Sequence, residues 1–261
     1  MSGSKDHVFC DLLHRKGGAV ALPAGLHRIY LGRRQGQGIW IVDGFKVVRH
    51  LYPPFVMGGN DQRYRFNPDN DVWIDNRIGC EEIEYTIAHE LIERKFMRER
   101  GMTYDRAHSF GLLLEKNMRD ADRLRAIRHG KKADPLVAPV YRSLFNRLDG
   151  ISVWIVDGPV VRREIDGDFC FGGNDLSCQY IPAGEIWLDS SMSSEHTFYA
   201  LKHQVEERKR LSAGMSWNDA YESALALRIV EQERQEKLAN RHEARLADVI
   251  YGVRERGVKH S

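Results

Sequence analysis

Two tandem copies of an α+β module, each a small antiparallel sheet followed by a helical hairpin, are the fold this sequence predicts. Three observations predict it: a repeat held at one offset, apolar runs of strand length early in each repeat, and longer helical stretches after them. Laying Ile39 on Val153 brings IWIVDG (Ile39 to Gly44) onto VWIVDG (Val153 to Gly158) and GGND (Gly58 to Asp61) onto GGND (Gly172 to Asp175). The register continues through Val72 to Asp75 on Ile186 to Asp189, Tyr85 on Tyr199, His89 on His203 and Glu93-Arg94-Lys95 on Glu207-Arg208-Lys209. After a one-residue deletion, Gly101-Met102 falls on Gly214-Met215 and Ala107 on Ala220. A repeat this long has the size of a domain, not of a solenoid unit. It divides the chain into a first copy over residues 1–131, with an N-terminal extension, and a second over 132–261, with a helical C-terminal tail.

Within copy one, Ile39 to Val42 and Phe45 to Val48 are apolar runs flanking Asp43-Gly44, a pair suited to the positive φ angles of a type I′ hairpin turn. Pro159, after the matching Asp157-Gly158, removes a ladder donor and suggests an edge strand there. GGND is a turn signal, and Val72 to Asp75 is a further strand. The first helix is expected over about 81–100 and ends at Gly101, while the second begins at Thr103, with Ser216 and Asp219 forming the matching capping box in copy two. Trp40, Trp73, Trp154 and Trp187 are expected as core anchors. Arg119 to Pro139, with Gly130, Pro135 and Pro139, is the expected linker, and Glu231 to Arg256 a charged helical tail suited to assembly.

Composition narrows the function classes. The 261 residues are 42% hydrophobic and 29% charged with a net charge of +2, a balance that folds and carries no global excess of charge toward nucleic acid. Apolar runs are strand-sized, far short of the roughly 20 residues that cross a bilayer, and the first residues lack the apolar block of a signal peptide. Cys10, Cys80, Cys170 and Cys178 contain no C-x-x-C pair and read as reduced thiols of a cytoplasmic protein. A locally basic stretch with Arg123, Arg125, Arg128, Lys131 and Lys132 offers a minor route to nucleic acid.

The most informative segment is Tyr85-Thr-Ile-Ala-His89-Glu90-Leu-Ile-Glu93, which follows the strand Val72 to Asp75. It resembles the active helix of zincin-type metallopeptidases, most closely the small phage and mobile-element type (ImmA/IrrE-like), over about residues 72–115. That helix reads H-E-x-x-H: its two histidines hold zinc from one face and its Glu is the general base. The resemblance therefore implies metal-dependent hydrolysis of a protein or peptide, a phage or mobile-element origin, and Glu90 as base. Here Glu93 stands where the second histidine is expected. On a helix His89 and Glu93 lie roughly 40° apart, so a carboxylate can take that place. A hairpin closed at Gly101 offers His108 as third ligand. The expected site is a divalent metal, zinc in this family, on His89, Glu93 and His108, with Glu115 as a partner of a ligand or an alternative ligand.

In copy two His203 and Glu207 persist, but Gln204 matches Glu90, Tyr221 matches His108 and Arg228 matches Glu115. Under the hydrolase reading copy two is degenerate and non-catalytic. The alternative is that His89, Glu93 and Arg94 form a polar packing layer of the hairpin, and the protein is a duplicated interaction module that binds protein, or nucleic acid, through its hairpins and basic stretch.

Overall fold

The computed structural model describes residues 21–129 and 140–257. Cys10, Lys131, Lys132 and the expected boundary between residues 131 and 132 lie outside the described residues. Copy one runs β1 (His27–Arg34), β2 (Gln37–Val42), α1 (Gly44–His50), β3 (Gly58–Asn60), β4 (Asp71–Asp75), a 3-10 turn (Cys80–Glu82), α2 (Ile83–Arg100) and α3 (Tyr104–Arg128). Copy two repeats this as β5 (Tyr141–Leu148), β6 (Ile151–Val156), α4 (Gly158–Glu164), β7 (Gly172–Asn174), β8 (Glu185–Asp189), α5 (Ser194–Ser212) and α6 (Trp217–Gly257). The sheets have the same order, β1-β2-β4-β3 and β5-β6-β8-β7, and the pair Trp40↔Trp73 is matched by Trp154↔Trp187.

The copies are α+β as expected, but each sheet is mixed. β2 pairs with β4 in parallel, and β6 with β8, while the outer pairs are antiparallel. The cause is Asp43-Gly44, which starts a helix instead of turning a hairpin. Asp43 accepts the Lys46 N–H at 3.2 Å as the N-cap of α1, and Asp157 caps α4 through Val160 N–H at 3.1 Å. Phe45 to Val48 is therefore helical, and Pro159 occupies a first-turn position where no donor is needed. Gly44 is dictated by packing, because a Cβ there would sit 2.0 Å from an Asp75 carboxylate oxygen. The hairpin turns lie one strand earlier, at Gln35-Gly36 (φ 52° and 85°) and Asp149-Gly150 (φ 48° and 83°). GGND is likewise not a turn at its start: Gly58–Asn60 is β3, and the turn begins only where Asn60 Oδ1 accepts Gln62 N–H and Arg63 N–H.

Strand alternation sorts the core onto two faces. Val42 and Trp73 face α1, with Phe55 and Phe66, while Ile39, Ile41, Val72 and Ile74 face Ile87 and Leu91 of α2. Because both faces are covered, β2 and β4 read as unbroken apolar runs. α2 ends as expected at Gly101, in the left-handed region (φ 58°), and Asp219 N–H donates to Ser216 Oγ at the start of α6. α3 continues to Arg128, so residues 119–128 are helix and not linker. Arg119 is buried, while Arg123 pairs with Glu164 and Arg125 with Asp122. The tail is the continuation of α6, from which Ile229 packs against the core of copy one. Cys80, Cys170 and Cys178 are free thiols, and among the described residues no helix is long and apolar enough to cross a membrane.

The copies meet through equivalent surfaces. Phe45 of α1 packs against His196 at the start of α5, with the rings tilted and 4.7 Å between their centres. Reciprocally, Arg162 of α4 reaches Glu82 at the start of α2, at 3.1 Å. Burial, and then the charge of Arg77, push the His196 pKa down to about 4, consistent with a neutral ring against Phe45. Glu82 also takes both Arg119 nitrogens at 3.0 and 2.6 Å. Removing one member of such a buried cluster leaves charges unmatched, so Glu82→Ala should cost about 3–5 kcal/mol in urea denaturation. A loss well under 1 kcal/mol, the range of an exposed pair, would show that the interface does not depend on it.

Candidate metal centre

α2 carries His89, Glu90 and Glu93 on its buried side, with exposures of 5%, 8% and 2%. The hairpin at Gly101 brings the first turns of α3 back along α2, and His108 arrives beside Glu93 as the sequence suggested. His89 Nε2 lies 2.8 Å from His108 Nδ1 and 3.4 Å from Glu93 Oε2, and His108 Nδ1 lies 3.2 Å from the same oxygen. One ligand atom from each of His89, Glu93 and His108 falls within 4.8 Å of the others, so the group could hold a metal ion.

The outer nitrogens decide what the inner ones can do. His89 Nδ1 lies 2.8 Å from Glu115 Oε1, and His108 Nε2 lies 2.9 Å from Asp168 Oδ1. A carboxylate only accepts, so each outer nitrogen carries its hydrogen and each neutral ring turns a lone pair inward. Two lone pairs then face each other at 2.8 Å beside the Glu93 oxygen, and only a cation or a proton between them makes that contact favourable. This is the arrangement in which a carboxylate fixes the tautomer of a metal-binding histidine, and the donor set fits a divalent ion with three protein ligands and an open position.

Without an ion, protons fill the role. Burial opposes a charge on His89, but hydrogen bonds to Glu115 and Glu93 outweigh it and hold its pKa well above the usual value. His108 is also opposed by burial, yet Asp168 and Glu93 raise it to about 9. Burial would lift Glu93, but hydrogen bonds from His108 and His89 keep it low; Glu90, buried beside Glu93, is pushed up to about 7. Two carboxylates three residues apart on one helix are thus driven in opposite directions, one toward ligation and one toward proton exchange.

Three contributors were not legible as site residues. Asn60 donates to Glu90 Oε2 and Glu93 Oε1, both at 2.8 Å, and orients the pair from β3. Its signal was the repeated GGND, since Asn174 donates in the same way to Gln204 at 2.9 Å and Glu207 at 3.3 Å. Asp168 comes from copy two, across the interface, where spacing gives no hint. Gly111 lets α3 lie against the His89 ring: a Cβ there would be 2.6 Å from Cε1, and copy two has Ala224 in its place.

Copy two keeps the frame and two of the three donors, His203 and Glu207, but not the third. His203 Nε2 lies 3.6 Å from Glu207, and Tyr221 occupies the place of His108 with its ring 5.1 Å from His203. Trp217 stacks on Tyr221 as Tyr104 stacks on His108, both at 5.1 Å. A cavity of about 740 Å³ is lined by His89, Glu90 and His108 on one side and His203, Tyr221 and Arg228 on the other.

Comparison with protein families, curated proteins and solved structures finds no match to this chain. It is a duplicated α+β protein in which, among the described residues, one histidine and carboxylate cluster could hold a metal ion.

Gly111→Ala should displace the His89 ring and weaken divalent-ion binding by about tenfold or more, the scale of losing an orienting partner. Competition against a chromophoric chelator reads this, and an unchanged affinity would exclude His89 from the site.

Proposed function

We propose that copy one is a metal-dependent hydrolase of peptide bonds, of the zincin kind, and that copy two is its non-catalytic partner. The observation that supports it most is the pairing of both outer histidine nitrogens with carboxylates, which leaves His89 Nε2, His108 Nδ1 and Glu93 Oε2 as converging ligand atoms. The reading takes zinc as the ion and a protein or peptide of a cytoplasmic setting as substrate, with a phage or mobile-element origin following from the H-E-x-x-E resemblance.

The chain's own residues would divide the work. His89, Glu93 and His108 would hold the ion, which supplies a Lewis acid for the scissile carbonyl. Glu90, with its pKa lifted to about 7, is tuned to take a proton from the attacking water and return it to the leaving nitrogen. Asn60 holds the Glu90 carboxylate toward the cavity. Glu115 is itself fixed by Arg119 at 3.0 Å, so the orientation of His89 is tied back to the Glu82 cluster.

One zinc ion should be found per chain by elemental analysis, and His108→Ala should remove it. Glu90→Gln should keep the ion and lower cleavage of an unfolded protein substrate by about 10²–10⁴-fold, the contribution of a positioned base. His203→Ala should leave metal content unchanged. Protein that binds no ion would hand first place to the interaction-module reading.

Protons and the ion compete for the same atoms. Because His108 is held at about 9 without metal, protonation dominates below that pH, and zinc affinity should rise between pH 6 and 8 with release of protons. Calorimetry in buffers of different ionisation enthalpy measures the release, and a pH-independent affinity would contradict it.

A further inference from the structure

Arg228 is the one large change in copy two that loss of a metal site does not require. It stands where Glu115 stands in copy one, so a carboxylate that supports His89 is replaced by a guanidinium near His203. Its Nε is buried without a hydrogen-bond partner, and the side chain forms no ion pair among the described residues. The carboxylate whose charge it feels, Asp75, is already bound by Arg77, whose Nε lies 2.8 Å from both oxygens. Burial, and then repulsion from Arg77, lower the Arg228 pKa to about 10, far below an ordinary arginine. Arg228 is only part-buried and reaches the cavity, and a charge partly withdrawn from water with no counter-ion is costly.

The partner should come from the cavity, because Arg228 lines it together with Tyr180, Trp217 and Tyr221 of copy two and the His89 cluster of copy one. We propose that copy two forms an anion subsite in this shared cavity, in which Arg228 binds the carboxylate of a ligand whose apolar body lies against Tyr180, Trp217 and Tyr221. A guanidinium fork matches a carboxylate with two parallel hydrogen bonds. One guanidinium balances one charge, and Glu207 lines the same cavity, so a monoanion suits it better than a doubly charged phosphate. Aromatic walls favour a carboxylate carried on a ring or apolar chain. The subsite rests on copy two alone and does not require the metal reading, although a carboxylate-bearing peptide held here would reach toward His89 and Glu90.

The test uses full-length protein stripped of divalent ions on a chelating resin, with benzoate, neutral benzamide and inorganic phosphate as probes in calorimetry and thermal shift. Benzoate should bind at least about tenfold more tightly than benzamide, and Arg228→Gln should remove that preference, as loss of a charge-assisted pair requires. Without ligand, Arg228→Gln should melt at or above the wild-type temperature, since it deletes an unmatched charge. Benzoate binding that is absent or indifferent to Arg228→Gln, or a preference for phosphate, would overturn the proposal. So would a variant that melts well below wild type or fails to fold, because Arg228 would then be a structural ion. None of these outcomes depends on whether copy one holds zinc.

Discussion

Two imidazoles cannot present lone pairs to each other at 2.8 Å unless something positive lies between them, and the residues around them, from both copies, are arranged to impose that condition. Glu115 and Asp168 take the outer hydrogens, Glu93 supplies a third lone pair, and Gly111 leaves room for the ring. None of these groups acts alone. Replacing Asp168 by an apolar residue would leave His108 free to reverse its tautomer, and replacing Gly111 would push His89 out of line. The site is thus a constraint on proton positions before it is a constraint on metal.

That constraint is anchored at the interface between the copies. From Arg162 of copy two a line of ionic contacts passes through Glu82 and Arg119 to Glu115, and from there to His89. On the other side Asp168 of copy two closes the site at His108. Copy two lacks the third donor yet remains part of the first copy's geometry. Buried ionic groups add little net stability when fully paired, so their value here is placement. The duplication gives one frame two chemistries: Glu90, Glu115 and His108 on one side, Gln204, Arg228 and Tyr221 on the other. Both open on the same cavity.

Much of this was legible in the sequence because side-chain periodicity and repeat register are local. The offset between IWIVDG and VWIVDG fixed which residues correspond, and the helical spacing of His89 and Glu93 with a turn at Gly101 placed His108 beside them. What misled was Asp43-Gly44, whose composition suits both a hairpin turn and a helix N-cap; Asp43 caps a helix, and the glycine is required instead by Asp75, remote in sequence, whose carboxylate leaves no room for a side chain at residue 44. The parallel pairing of β2 with β4 follows from that helix start. Asp168 was beyond reach because its partner lies in the other copy, and Asn60 was hidden inside a motif that reads as a turn. Arg119, read as part of a basic linker, is buried because Glu82 and Glu115 wait for it on neighbouring helices. Long-range ion pairing leaves no periodic mark on a chain.

X-ray absorption at the zinc edge on the zinc-loaded protein tests the central claim most directly, because it reads the atoms around the ion. The account predicts one ordered ion with two imidazole nitrogens and carboxylate oxygen in its inner shell, and loss of one imidazole in His108→Ala. An all-oxygen shell, or a spectrum unchanged by His108→Ala, would contradict it.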